Sequence, residues 1–423
     1  MRAPHRRGPG ALAIGLFVVG AALISWDAWH WWRARHPYDD GSYGERADWS
    51  AKYGAATHFF GYVFRDRNRN GRQDPGEPPM AWVAAELTAP GGRRSILRTN
   101  LAGFANANMS QGSWLAPVHA AGDYRFRILV PPGFVVTTGN GDQVGRVAPL
   151  PGAPGDLVTA PPPTSVGLAP ELSIAGRLTE RAADGALRGA RSARLSVTGP
   201  GVAAHAVPVA ADGGFRFPAG PGSWRLVASS PASPAGLARE VTVGDAPAVV
   251  IGLVLGETGP EPAGKRVKVD FEGITQAEVS KIGFGYGIDG LDWGMLHVLK
   301  ADDSGAAGYV NALSSGSYVA YSSVPVTLSR AGGFDFYGGY FTVGLHEAEG
   351  ETLRVRAFRA GSMVADDEVK LSALGPLWLD ARLLGVDRVV LSALHSWQFA
   401  TDDLELSARE GPSAPAGQSA TRP

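Results

Sequence analysis

The chain has 423 residues, room for about three ordinary domains, and its net charge of −1 with scattered Lys and Arg excludes a strong field for nucleic acid or an anionic membrane face. It contains no cysteine, which excludes disulfide scaffolds, thiolate zinc sites, iron–sulfur clusters and cysteine nucleophiles. Gly (57) and Pro (31) together exceed a fifth of the residues, a balance that suits turn-rich β-structure better than helix.

Residues 1–7 carry Arg2, Arg6 and Arg7, and an uncharged run follows from Gly8 to Trp26. As a helix this run spans roughly 28 Å, close to the ~30 Å hydrocarbon core of a bilayer. The preceding arginines favour a cytoplasmic N-terminus, and Trp26, Trp29, Trp31 and Trp32 suit the far headgroup layer. We therefore expect a transmembrane signal anchor over 8–32, with the bulk of the chain outside the cytoplasm, periplasmic or at the surface of a bacterial cell. The alternative is a cleaved signal, although ISWDAWHWW offers a poor small-x-small site. Residues 33–57 are polar with aromatic punctuation and read as a juxtamembrane stalk.

From His58 onward the text is one of short apolar-alternating runs separated by Gly, Pro, Asn and Asp turns. Beyond the membrane span no segment keeps a 3.6-residue apolar stripe for three turns. The expectation is an all-β chain, divided at 58–170, 171–257 and 258–408, with a disordered tail over 409–423. Ala148–Thr164 reads as a linker or an extended edge, and GETGPEPAG as a linker into the third module.

The sharpest local signal is the segment Asp66–Glu77, which satisfies D-x-[DN]-x-[DN]-G-x5-E, the twelve-residue calcium loop. Calcium takes six to eight hard oxygens. Asp66, Asn68, Asn70, Asp74 and Glu77 are side-chain candidates, with the Arg72 carbonyl between them. A β-pattern precedes the loop and Pro78 and Pro79 follow it, so it should join strands rather than the helices of an EF-hand. A plain polar β-turn is the alternative.

GYVFRDRNRNGRQDPGEPPMAWVAAEL, TNLAGFANANM and GDYRFRILVPPGFVVTT together resemble the B-type repeat domain of serine-aspartate adhesins. That resemblance implies a prealbumin-like sandwich with structural calcium in this loop. Gly103-Phe104-Ala105 and the insertion around SQGSWLAPVHAA depart from the family pattern. LSIAGRLTERAADGALRGARSARLSVTG, ADGGFRFPAGPGSWRLVAS and AREVTVGDAPAVVIGLVL are similar to carboxypeptidase regulatory-like domains. These are also prealbumin-like, and are accessory rather than catalytic. The ordered series from VDFEGI to QFATDDLEL resembles a bacterial galactose-binding-like jelly roll.

In such a jelly roll the first and last strands lie side by side, which would bring Glu272 near Asp402 or Asp403 as a second calcium site, against the bland reading of solvated carboxylates. Sugar-binding relatives stack loop aromatics on pyranose faces. Tyr286, Trp293, Tyr309, Tyr337 and Trp397 are the candidates, each with a core or rim role as its alternative. Gly285-x-Gly287-x-x-Gly290 matches a dinucleotide fingerprint but sits in a β-pattern without the following helix. Walker, G-x-S-x-G and HExxH motifs are absent. The paired carboxylates Asp302-Asp303 and Asp366-Asp367 read as turns.

The sequence thus points to a non-enzymatic, membrane-anchored presentation protein that binds polysaccharide or another envelope component at its C-terminal jelly roll. A structural scaffold or adhesion subunit with a protein partner is the second reading, and a cryptic glycoside hydrolase the third.

Overall fold

The computed structural model describes residues 58–99, 112–160, 165–257, 259–274, 279–281, 288, 290–301, 307–395 and 398–409. The expected anchor, the stalk, Tyr286, Trp397 and the tail beyond Arg409 lie outside them. Among the described residues no helix is long and apolar enough to cross a membrane. The chain is all-β there, apart from one short helix and a 3-10 turn.

Among the described residues nine strands make the first module: β1 (His58–Arg65), β2 (Ala84–Thr88), β3 (Arg94–Arg98), β4 (Ser113–Pro117), β5 (Gly122–Leu129), β6 (Phe134–Val136), β7 (Asp142–Leu150), β8 (Ala153–Ala160) and β9 (Val166–Pro170). They form a four-stranded sheet ordered β4-β1-β9-β6 and a five-stranded sheet ordered β3-β2-β5-β7-β8. β5 shows why they pack. Its period-two text buries Tyr124, Phe126 and Ile128 and turns Asp123, Arg125 and Arg127 outward. Phe59 meets Phe126 edge-on at 4.8 Å, between the sheets. The segment read as a linker or extended edge supplies β8, the outermost strand.

The second module runs through β10 (Ser173–Arg181), β11 (Leu187–Gly189), β12 (Arg194–Gly199), β13 (Val202–Val207), β14 (Gly214–Pro218), β15 (Gly222–Ser229), β16 (Leu237–Val243) and β17 (Ala248–Leu255). One sheet is β13-β12-β15-β16, and the other is centred on β10, which pairs with β11, β14 and β17. Trp224, Leu226, Phe215 and Phe217 fill the space between them.

The third module contains β18 (Val267–Val269), β19 (Val279–Lys281), β20 (His297–Lys300), α1 (Ala307–Ala312), β21 (Tyr318–Ser322), β22 (Val326–Val343), β23 (Thr352–Arg359), β24 (Ser362–Lys370), β25 (Leu377–Ala393) and β26 (Phe399–Ala408). β18 pairs antiparallel with β26, so the first and last strands of the module are neighbours. The long β22 lies between β25 and β26, and its register with each shifts near Gly338. A Cβ at Gly338, whose φ is 146°, would lie 1.8 Å from the Leu379 carbonyl oxygen, so only glycine lets the strands approach there. Phe334, Phe336, Phe341, Phe399 and Trp293 dominate this core. Asp366-Asp367, expected in a turn, lie within β24 instead. Asp366 pairs with Arg354 across the strands, and Asp367 is buried against the Gly252 amide.

The three modules are not separate beads. β17 pairs in parallel with β25, which carries the sheet of the second module into the third. Asn311 of α1 is buried and joins the third module to the first. Its side chain accepts from the Ala81 amide at 3.0 Å and donates to the Ala81 carbonyl at 3.1 Å and the Ala373 carbonyl at 2.8 Å. Trp82 stacks on His346 with ring centroids 3.8 Å apart. The 259–263 segment, linker-like in sequence, is pinned as well. The Ala263 amide donates to Asp335 at 2.8 Å, and the Ser407 hydroxyl donates to the Ala263 carbonyl at 2.6 Å.

Asn311→Ala would leave a buried amide and two buried carbonyls without that partner, so it should cost about 3 kcal/mol. In a calorimetric scan of the full chain, the first module should then melt ahead of the other two. A single unshifted transition would contradict this account of the junction.

Candidate functional site

Three places gather the polar side chains that the sequence singles out or that the fold brings together: the 66–77 loop, the junction beside it, and a cleft between the second and third modules.

The loop leaves β1 and returns at Pro78, whose carbonyl accepts from the Arg65 amide at 2.8 Å. It therefore joins β-structure. Gly71, with a φ of 73°, makes the sharp turn. Asn68 and Asn70 each donate a side-chain amide to the same Asp74 carboxylate oxygen at 2.6 Å. Those two bonds hold the Asp74 carboxyl below its ordinary value. Asp66 is buried, and its carboxylate accepts from the Gly71 amide at 2.9 Å and the Asn70 amide at 3.2 Å. Glu77 bridges the Arg67 and Asp74 amides at 2.9 and 3.0 Å. Asn68, Asn70 and Asp74 thus converge on one point. Asp66 and Glu77 brace the backbone on either side, and the Arg72 amide is held by Asn70. Among the described residues no three His, Cys, Asp or Glu side chains form a metal-holding group. The amide oxygens of Asn68 and Asn70 would have to contribute, and a cation near Asp74 competes with their N–H donors. The carboxylate oxygens of Asp66 and Glu77 each accept one backbone amide and keep a second lone pair for a hard cation.

Glu272, Asp402 and Asp403 do come together, and what they share is a loop. Glu272 accepts from the Ser317 and Tyr318 amides at 2.6 and 2.7 Å. Asp402 accepts from the Ser314 and Ser315 amides at 2.7 and 3.0 Å and from the Asp403 amide at 2.7 Å. Asp403 accepts from the Ser315 hydroxyl at 2.6 Å and pairs with Lys268 at 2.8 Å. The three carboxylates hold the 314–318 loop against β26. Burial first, and then the charge of Asp403, push Asp402 up to about 7.

That loop meets the first module at a charged junction. Arg65 is fully enclosed and donates to the Asn311 and Leu313 carbonyls. Burial lowers its guanidinium to about 10. Arg67 donates to the Ser314 carbonyl at 2.6 Å and pairs with Asp245 of the second module. Tyr340 of the third module donates to the other Asp245 oxygen at 3.1 Å. Burial alone would lift the Asp245 carboxyl, but Arg67 and Arg65 outweigh it and hold it below its ordinary value.

The expected sugar-stacking aromatics fare differently from one another. Trp293 is 1% exposed and lies in the third core, so its ring has no face for a ligand. Tyr309 is buried beside Tyr321 and donates to Gln398. Tyr337 lies under the Arg266 guanidinium, 3.8 Å from its ring centre.

Tyr337 nevertheless lines a cleft of about 560 Å³ between the second and third modules. Its second-module wall is Glu240, Thr242 and Gly244 on and after β16. The facing wall is Arg266, Lys268, Tyr340, Trp378, Asp380, Arg382, Asp403 and Glu405. Trp378 and Tyr340 meet edge-to-face at 5.1 Å. Arg266 pairs with Glu405 at 2.9 Å, and Arg239 pairs with Asp380. Trp378, Asp380 and Arg382 were missed in the sequence. Their signal is the period-two line W-x-D-x-R on one face of β25, an aromatic, an acid and a base turned outward above a buried Leu379-Ala381-Leu383 face.

No protein-family model matches the chain, and no curated protein matches it. Solved structures similar to it include the Bacillus anthracis TIE protein, 7% identical over 46% of this chain and 32% of that one, with a TM-score of 0.21. Another is the N-terminal CBM22-1-CBM22-2 tandem of Paenibacillus barcinonensis Xyn10C, 11% identical over 38% of this chain and 50% of that one, with a TM-score of 0.23. A third is the shaft pilin SpaA of Lactobacillus rhamnosus GG, 9% identical over 49% of this chain and 100% of that one, with a TM-score of 0.22. The chain spans no more than half the length of the first two. At TM-scores this low none of them decides family, ligand or partner.

The raised value of Asp402 has a signed consequence. Its folded value lies above the ~3.9 of a free aspartate, so the folded state keeps a proton that the unfolded chain releases between about pH 4 and 7. That contribution is full at the acid end of the window and is lost as pH rises through about 7. Asp367, lifted by burial to about 6, acts in the same direction. Asp245, Asp335 and Glu351 are held low and act below this window, where falling pH costs stability. Urea midpoints should therefore decline from about pH 4 to 7 in the wild type and decline less in Asp402→Asn. Parallel curves for the two proteins would refute the assignment.

Proposed function

We propose that this is a membrane-anchored, extracytoplasmic binding and presentation protein without catalytic activity, and that it takes a saccharide chain in the cleft between its second and third modules. The observation that carries the reading is the composition of that cleft. A half-buried aromatic pair, Trp378 and Tyr340, is flanked by polar and charged side chains from both walls. Sugar rings present C–H faces to aromatics and hydroxyls to such groups, and the volume falls within the range of ligand sites. Asp380, Asp403 and Glu405 are each held by Arg or Lys, which supports recognition over general acid–base chemistry.

The test is a polysaccharide panel against the full chain in detergent. A neutral or acidic glycan should bind, and Trp378→Ala should weaken binding about tenfold while Trp293→Phe leaves it unchanged. If no glycan binds, or Trp378→Ala binds as the wild type does, the saccharide reading fails.

The scaffold reading, with a protein partner, has one observation in its favour. Val144, Leu150 and Val158 are exposed on β7 and β8 at the outer edge of the five-stranded sheet. Capture of one envelope protein, lost on Val144→Lys, with no glycan signal, would favour it.

We also propose that the 66–77 loop takes calcium through Asp66, Asn68, Asn70, Asp74 and Glu77. Its support is the spacing of oxygen-bearing side chains and the gathering of Asn68 and Asn70 around Asp74. Calcium at about a hundred times its dissociation constant should add roughly 2.7 kcal/mol to stability. The melting temperature should rise with calcium in the wild type and not in Asp74→Ala. An unchanged wild-type melting temperature would remove calcium from the account.

A further inference from the structure

A second cavity, of about 230 Å³, adjoins the cleft and shares Pro262 and Arg382 with it. Its walls are β16, β17, the 259–262 segment, the end of β23, β24 and β25. Three guanidiniums line it: Arg239, Arg359 and Arg382. Arg239 is committed to Asp380. Arg359 donates from one terminal nitrogen to the Leu384 carbonyl at 2.6 Å, while its Nε is buried and, among the described residues, has no partner. Arg382 is exposed, and its guanidinium makes no hydrogen bond or ion pair among the described residues. On the acidic side, Glu257, held by Arg181 at 2.6 Å, and Asp335, paired with Arg409, both bear on the Arg359 guanidinium, and Glu261 lies on the wall.

The wall of the cavity is built rather than loose. Arg409 ties the 259–262 segment to the third module through the Glu261 carbonyl at 2.5 Å and Asp335 at 2.5 Å. Burial first, and then the neighbouring charge of Arg409, lower the Arg359 guanidinium below its ordinary value. An unpaired buried N–H leaves the Arg359 guanidinium under-satisfied beside a second cation, a cost that an anion at its terminal nitrogens would offset. A guanidinium fork matches the paired oxygens of a carboxylate or a phosphate.

We propose that this cavity is an oxyanion subsite, in which Arg359 and Arg382 bind the carboxylate or phosphate of an acidic saccharide whose neighbouring rings lie on Trp378 and Tyr340. The inference rests on the saccharide reading of the cleft and adds to it a charge selection. The cleft then holds rings, and the adjoining cavity admits the acidic group and discriminates against its neutral counterpart.

Two measurements on the full chain in detergent test this. In the first, the Arg359 Nε–H resonance, assigned by its loss in Arg359→Gln, is followed on titration with glucuronate, glucose 6-phosphate and methyl glucoside. A saturable shift with glucuronate or glucose 6-phosphate and none with methyl glucoside is expected, and the acid that acts at lower concentration names the oxyanion. No shift with either acid, or the same shift with all three, overturns the subsite. This measurement does not depend on polymer binding. In the second, polygalacturonate is compared with its fully methyl-esterified form, which keeps the rings and removes the charge. The acid should bind at least about tenfold more tightly, and Arg382→Gln, on an exposed side chain, should bring the acid-to-ester affinity ratio toward one. If acid and ester bind alike, and both are weakened by Trp378→Ala, the subsite falls and the saccharide reading stands. If neither polymer binds while the Arg359 resonance still responds to the acids, the oxyanion site stands and the saccharide reading falls.

Discussion

Arg65 and Arg67 enter the protein from the end of one strand, and both are drawn into the place where the three modules meet. A guanidinium taken out of water must find acceptors and counter-charge nearby or the arrangement is lost. Arg65 finds the Asn311 and Leu313 carbonyls, and Arg67 finds the Ser314 carbonyl and Asp245. The three carbonyls belong to one segment of the third module and Asp245 to the second, so holding these two cations sets the positions of the second and third modules against the first. Tyr340 completes the same group from the third module. The 314–318 loop, which offers the Ser314 carbonyl, is itself held from behind by Glu272, Asp402 and Asp403.

The junction also links the calcium-type loop to the inter-module cleft. Asp66 and Arg67 belong to the calcium-type loop, so its conformation and the reach of Arg67 share one backbone. Asp403 and Tyr340 border the inter-module cleft, while Asp402, next to Asp403, faces the loop that Arg67 touches. The cleft exists because β17 pairs with β25 and so places the outward face of β16 opposite the outward face of β25. Neither module alone encloses it.

Much of the local architecture was readable from the chain. Period-two alternation and Gly- and Pro-rich turns marked an all-β protein, and the spacing of Asp66, Asn68, Asn70, Gly71 and Glu77 marked a loop built on side-chain oxygens. The aromatics were not readable in the same way. Trp293 follows a Gly-x-x turn that resembles a ligand loop, yet it plugs the core, because a large ring beside a turn lowers its energy equally well by filling a cavity. Trp378 sits in an unremarkable strand, and only the pairing of β25 with β22 and β17 makes its outward neighbours a wall. Asp366-Asp367 read as a turn because strands disfavour acid pairs, but Arg354 supplies the cross-strand partner that makes them tolerable there.

What the sequence by itself determined was the set of local elements. Alternation selects strands, Gly71 and its neighbours select a tight loop, and the uncharged run at 8–26 carries the hydropathy of a membrane span. Local pattern suffices for these because each depends on residues a few positions apart. Only the tertiary structure decided that Arg65 lies buried against residues 246 and 248 positions away, that the apparent linker at 259–263 forms a fixed wall, and that Trp378, Tyr340 and the charge pairs Arg266–Glu405 and Lys268–Asp403 face one cleft. Those contacts depend on which strands pair across modules, and no spacing within a single segment encodes that choice.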